Sequence, residues 1–213
     1  MGKIKSELMT EISKMTKESA YFIGFFWADG WLSRNELKIE IVKEDGDDLI
    51  KIFETLGDWF VSSRNRPNRQ IQMSFQTTNK ELKTFFTSMG KYPNTIESHE
   101  KILKYIPEEF KLYFIRGIID GDGCFYYNKK RETSGHQFSI SARFNQDWSY
   151  ILKYLSSIGV NCKTIVTETE KSKSSKIRCS NVYEIRNLIS YIYECDDLIY
   201  LKRKKEKAFK ILK

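Results

Sequence analysis

The sequence gives a structural metal centre little to work with. Of its four cysteines, Cys124, Cys162, Cys179 and Cys195, no two are spaced as CxxC, and His99 and His136 are the only histidines. A zinc-organised fold is therefore not expected. So sparse a cysteine set suits a reduced, intracellular setting, cytoplasmic or nucleoid-associated, with an organelle or a phage-infected host left open. Long apolar runs are missing too, since the most hydrophobic stretch, Tyr21 to Trp27, is closed by Asp29 and Gly30. No membrane span is expected. Acid is the scarcer charge: 28 Asp and Glu face 36 Lys and Arg, for a net charge of +8. That balance favours a polyanionic partner, nucleic acid first. The opening MGKIKS formally fits a myristoylation pattern, but the match is short and is set aside.

What the chain does have is repetition. YFIGFFWADGWL at 21–32 and YFIRGIIDGDGCF at 113–125 are both apolar runs ending in Asp-Gly, with Gly24 answering Gly117 and Asp29 answering Asp122. An alternating segment follows each, then an amphipathic helix ending in glycine, DDLIKIFETLG at 47–57 and SYILKYLSSIG at 149–159. Further strands come next, and then KELKTFFTSMG at 80–90 answers YEIRNLISYIY at 183–193. The pattern predicts an α+β fold of two pseudo-symmetric halves, 1–95 and 107–213, joined by a linker at 96–106. Pro93 and Pro107 bracket the junction, and Pro107 with Glu108 and Glu109 suits a helix start. NKKRETSGHQ at 128–137 reads as an inserted hairpin or loop.

The strands alternate. In QIQMSFQ at 70–76, Gln70, Gln72, Ser74 and Gln76 share one face, with Ile71, Met73 and Phe75 on the core side. Ser139, Ser141 and Arg143 likewise oppose Phe138, Ile140, Ala142 and Phe144, and Lys176, Arg178 and Ser180 oppose Ile177 and Cys179. Faces of Gln, Ser, Lys and Arg offer the donors and acceptors that read base edges in a major groove. Arg34, Lys38 and Glu40 fall on the corresponding early segment. Arg64, Arg66, Arg69, Lys129, Lys130 and Arg131, at strand ends, suit phosphates. A polar outer face is also what any antiparallel sheet shows to water, but Val61 to Thr78 carries three arginines and no acid. The tail LKRKKEKAFKILK at 201–213 carries seven bases against Glu206 alone, and reads as a phosphate-binding helix or a solvated basic end.

Gly24 and Ala28, like Gly117 and Gly121, are four apart on one helix face, where small side chains let two backbones approach. Packing the two helices there would bring Asp29 and Asp122 together beside unpaired terminal carbonyls. Such an oxygen-rich, electronegative place suits a hard divalent cation, magnesium best.

The nonamers FIGFFWADG at 22–30 and IRGIIDGDG at 115–123 closely resemble the LAGLIDADG signature, and their repetition resembles the single-chain members of that homing endonuclease family. The resemblance implies two αββαββα halves whose sheets form a saddle over double-stranded DNA, cut with a stagger at a long site. By position it makes Asp29 and Asp122 metal ligands, helped by the carbonyls of Ala28 and Gly121. It sets Lys43, at the end of strand LKIEIVK, and Lys80 near the scissile phosphate. Trp27 departs from the pattern where the second copy keeps Asp120, a position that then serves packing in one half. Asn145 and Tyr183 stand where the first repeat has Lys43 and Lys80, which makes the half-sites chemically unequal. A monomer without an obligate protein partner is implied. The alternative is a catalytically silent binder of the same fold, an intron RNA maturase or a DNA-binding regulator. An intein is disfavoured, because no terminal His-Asn pair is present.

Overall fold

The computed structural model describes residues 12, 14–65, 67, 70–91, 98–131, 134–144, 146–169, 172–194 and 199–213. The chain is α+β and passes twice through one order of elements. The first pass is α1 (Lys17–Asp29), β1 (Trp31–Leu32), β2 (Leu37–Val42), α2 (Lys43–Thr55), β3 (Phe60–Arg64), β4 (Gln72–Thr77) and α3 (Lys80–Ser88). A short α4 (Glu100–Tyr105) and a 3-10 turn (Glu108–Phe110) follow. The second pass is α5 (Lys111–Asp122), β5 (Gly123–Tyr126), β6 (Gln137–Arg143), α6 (Ser149–Ser157), β7 (Lys163–Thr169), β8 (Ser172–Cys179) and α7 (Val182–Tyr193), and α8 (Lys202–Phe209) comes last. Each pass yields a four-stranded antiparallel sheet, in the orders β1-β2-β4-β3 and β5-β6-β8-β7. Two αββαββα repeats are thus present.

The contacts divide the chain into two compact units, and the division does not follow the repeats. One unit gathers 1–95, 106–121 and 199–202; the other gathers 96–105, 122–198 and 203–213. The second signature helix therefore packs, as far as Gly121, with the first unit.

In the first unit, α1 starts at a capping box, Thr16 with Ser19, which satisfies otherwise orphaned backbone donors. From Ser19 to Trp27 every residue of α1 is buried, as expected of a helix apolar on all sides. Phe22 meets Phe53, Trp59 and Phe86 edge-on at 5.5, 5.6 and 6.2 Å, and Phe53 stacks on Phe75 at 4.2 Å. The remaining side of α1 meets α5 backbone to backbone. A Cβ on Gly24 would sit 2.0 Å from the Phe114 carbonyl oxygen, and one on Gly117 would sit 2.2 Å from that of Tyr21. Only glycine leaves room for this approach.

The other side of α5 holds a distant piece of chain. Arg116, fully buried, donates to the Ile199 carbonyl at 2.9 Å while its guanidinium lies 4.9 Å from the Tyr113 ring centroid. One turn on, buried Asp120 accepts from the Leu201 N–H at 2.8 Å and from the Tyr21 hydroxyl at 2.7 Å. Lys202 then meets Asp48 of α2, through its N–H at 3.0 Å and its ammonium at 2.9 Å. Asp120 is thus a structural acceptor, and Trp27, its counterpart, is buried packing.

The interior of the second unit sets Ile140, Ile151, Leu155, Ile177, Ile185, Leu188 and Ile189 around Phe125, Phe138 and Tyr193. A buried relay crosses it, in which the Trp148 indole donates to Ser175 Oγ at 3.0 Å and that hydroxyl donates to the Arg143 carbonyl at 2.8 Å. The inserted segment between β5 and β6 is anchored by His136, buried, which accepts from the Asn128 N–H at 3.0 Å and stacks on Tyr127 at 5.1 Å.

Two expectations about strand ends need correction. Ile71 was assigned to the core face, but it lies outside β4 and is 40% exposed. Val42 pairs with Gln72, so Ile71 stands opposite Lys43, where β2 has already turned into α2 and no core lies beneath. For the same reason Lys43 does not end a strand: it opens α2, its N–H donating to the Ile71 carbonyl at 2.8 Å.

Gly24→Ala should lower stability by at least about 2 kcal/mol, because overpacking against backbone outweighs the roughly 1 kcal/mol by which alanine favours a helix. Urea unfolding of Gly24→Ala and Gly117→Ala measures this, and midpoints at or above wild type would contradict the close approach. Asp120→Ala should cost about 2–4 kcal/mol by stranding two buried donors; an unchanged urea midpoint would remove Asp120 from the clamp.

Candidate metal and nucleic-acid site

Both signature helices end on a carboxylate. Asp29, exposed, is the last residue of α1, and Asp122, half-buried, is the last of α5. A Cβ on Gly121 would stand 2.6 Å from that of Ala28 and 3.4 Å from Asp29 Oδ2, so the final turn of α5 runs against the final turn of α1. Asp122 is one peptide bond further on. Helix C-termini leave carbonyls without intrahelical partners and carry partial negative charge.

At the end of α1 two of those carbonyls are taken. The Gly30 N–H donates to that of Phe26 at 2.9 Å, and the Lys91 ammonium donates to that of Trp27 at 2.7 Å. Lys91 is only 5% exposed and lies 5.8 Å from the ring centroids of both Phe26 and Trp27. Just past α5, Lys204 donates to the Gly123 carbonyl. A lysine thus caps the region behind each signature aspartate. Neither lysine was singled out from sequence. The Gly90 φ of +103°, which turns the chain after α3, was the one local sign that Lys91 would be carried inward. Lys204 lay inside the basic tail, and with Lys202 on Asp48 two bases of that tail are bound to protein.

Among the described residues no three His, Cys, Asp or Glu side chains converge into a ready-made metal site. Each helix end offers oxygen donors, with Asp29 open to solvent. Donors of this kind suit a hard divalent cation that keeps waters and takes further oxygens from a phosphate ligand.

The outward faces of the sheets can be read row by row from the register. In the first sheet one row runs Trp31, Lys38, Gln76, Phe60; the next runs Glu40, Ser74, Ser62; the third runs Val42, Gln72, Arg64. Lys38 is bound to Glu40 at 2.8 Å, which leaves Arg64 as the unneutralised base. In the second sheet the rows run Cys124, Ser139, Arg178, Lys163; then Ser141, Lys176, Ile165; then Arg143, Ser174, Thr167. Among the described residues none of Arg143, Lys163, Lys176 and Arg178 forms an ion pair. Lys163 was missed because its strand had not been read.

Gln72, Ser74 and Gln76 share the first outward face, while Gln70 precedes β4 and is exposed. Arg34, Gln76 and Lys80 come together along a groove of about 1180 Å³, with Trp59, Phe60 and Lys83. Lys80 opens α3, which Asn79 caps by accepting from the Leu82 N–H at 2.9 Å. Lys43 is exposed and bound to Asp47 at 2.7 Å. Lys129, Lys130 and Arg131 are exposed on the β5–β6 loop. Arg66, Arg69 and Asn145 lie outside the described residues. Tyr183, counterpart of Lys80, is 73% exposed at the start of α7.

No helix among the described residues is long and apolar enough to cross a membrane. No curated protein matches the chain in sequence. Solved structures share its fold. The I-LtrWI LAGLIDADG homing endonuclease bound to target DNA superposes with a TM-score of 0.59 at 15% identity, over 92% of this chain and 89% of that one. I-DmoI in complex with DNA and Mn gives 0.55 at 13% identity, over 83% and 97%. Full-length DUF199/WhiA from Thermatoga maritima gives 0.53 at 15% identity; 98% of this chain is covered, but it spans only 64% of that protein. Residues 115–213 match the family described as LAGLIDADG endonuclease. The family match thus lies on the second repeat, 115–213, and the solved structures share the two-repeat fold of the whole chain.

Proposed function

We propose that the protein is a site-specific, divalent-metal-dependent DNA endonuclease that makes a staggered double-strand break. The observation that carries this reading is the retention of an aspartate at the end of each glycine-packed signature helix. Asp29 and Asp122 would hold the cations, magnesium in the cell, with the carbonyls of Ala28 and Gly121 assisting. Bound cations of this kind activate water and stabilise the oxygens of an in-line phosphodiester displacement. The chain's own residues do the rest. The outward faces of the sheets bind the DNA, with Gln72 and Gln76 suited to adenine and Arg178 and Arg143 to guanine. Lys80, and Lys43 once drawn from Asp47, would offset charge near a scissile phosphate. The chain acts as a monomer inside the cell, from an intron-encoded or free-standing gene of a mobile element.

The structural likeness to DUF199/WhiA, which is not described as an endonuclease, keeps a second reading specific: the same fold can be a binding protein. Retained carboxylates favour the enzyme. Incubating the protein with a library of DNA duplexes and magnesium, then sequencing the ends, finds the target. Asp29→Asn and Asp122→Asn should then cut at least about a hundredfold more slowly, as loss of transition-state charge stabilisation implies, while still binding the target in calcium. Cutting by both variants at the wild-type rate would transfer the protein to the binding class.

The wild type should also accumulate nicked plasmid before linear product, since Tyr183 replaces Lys80 in the second repeat. A time course showing linear product without open circles would contradict that inequality. Log affinity should fall steeply with log salt, each neutralised phosphate contributing about −0.9 to the slope. Lys163→Ala, removing a base at the start of β7 suited to a phosphate, should flatten that slope by about one contact, whereas Lys38→Ala, already paired with Glu40, should barely alter it. Equal effects of the two, measured by fluorescence anisotropy, would argue against the charge difference between the sheets.

A further inference from the structure

The hairpin β7–β8 holds two thiols that the proposed reaction does not use. Its ladder begins at Lys163 opposite Arg178, so the next rung outward sets Cys162 opposite Cys179. Residues directly opposite on antiparallel strands have Cα atoms about 4.5–5.5 Å apart, within the roughly 4.4–6.8 Å that a disulfide bridges. Both cysteines are free, Cys179 buried and Cys162 partly exposed. The nearness of the two thiols pushes the Cys162 thiol above the ordinary range and the Cys179 thiol below it. Cys179 Sγ also lies 3.6 Å from Glu184 Oε2 and 3.8 Å from the Asn181 carbonyl. With no third ligand converging among the described residues, the pair is not a metal centre. Strand β7 is the edge of its sheet and largely exposed, and its ladder to β8 runs outward from this rung.

We propose that Cys162 and Cys179 form a reversible thiol–disulfide site, closed by a hydroperoxide and reopened by a dithiol, that staples edge strand β7 to β8. One thiol of the pair, as its thiolate, attacks the peroxide, giving a sulfenic acid and water. Its partner then attacks that sulfur, the S–O bond breaks, an S–S bond forms, and a second water leaves with the thiol proton. In sum two thiols and one hydrogen peroxide give one disulfide and two waters, and the peroxide takes both electrons. The closed bridge spans the hairpin at its open end, beside the rung that carries Lys163 and Arg178. None of this depends on the nuclease reading.

The full chain, with Cys124→Ser and Cys195→Ser to leave only this pair, is treated with dilute hydrogen peroxide, alkylated in denaturant and mapped under non-reducing conditions. The unsubstituted chain is mapped in parallel. The expected result is one intramolecular cross-linked peptide joining 162 and 179, lighter by two hydrogens, with melting raised by on the order of 5–10 °C and restored by dithiothreitol. Cys162→Ser should remove both the cross-link and the shift. The proposal is overturned if both thiols stay alkylatable at a dose that oxidises Cys124 in the unsubstituted chain. It is equally overturned if Cys162 ends as a sulfinic acid beside an intact Cys179 thiol, or if only intermolecular bridges form.

Discussion

Everything in the first unit is arranged around one steric allowance, the absence of a Cβ at Gly24 and Gly117. Because those positions are bare, the backbones of α1 and α5 touch as far as Gly121, and the end of α1 is fixed by rigid elements instead of loops. The same allowance explains why α1 is apolar all round: one side meets a helix, and the aromatic cluster of Phe22, Phe53, Phe75 and Phe86 covers the others. A helix with so little polar surface needs its termini satisfied, and Thr16 at one end and Lys91 at the other meet that need.

The two repeats share topology but divide their chemistry. The first sheet neutralises its own lysine with Glu40 and edges its first outward row with Trp31 and Phe60, whereas the second leaves four bases uncompensated. A partner carrying regular negative charge would feel the second face more strongly at long range and the first mainly on contact.

How much of this was legible in the sequence follows from the range of the interactions concerned. Signature helices, alternating strands and caps are local patterns, and they could be read directly: Gly24, Gly117, Gln72, Ser74 and Arg178 fall where periodicity puts them. Errors arose where one element ends because another has begun. Ile71 alternates correctly with Met73 and Phe75, yet it has outrun the partner strand, and Lys43 belongs to the helix that replaces that strand. Long-range capture left almost no trace. A buried lysine beneath a helix terminus, a clamp from Arg116 and Asp120 onto Ile199 and Leu201, and facing thiols across a hairpin each need the register or packing of distant segments. Composition does not encode those.

The clamp has a consequence for how the molecule comes into being. Arg116 and Ile199 are 83 residues apart, and Lys204 and Gly123 are 81 apart. When the first repeat and α5 have left the ribosome, the buried guanidinium and carboxylate of α5 still lack the strand of backbone that satisfies them. The pairing of α1 with α5 therefore cannot settle until nearly all of the second repeat has been synthesised, however well the amino-terminal half has folded.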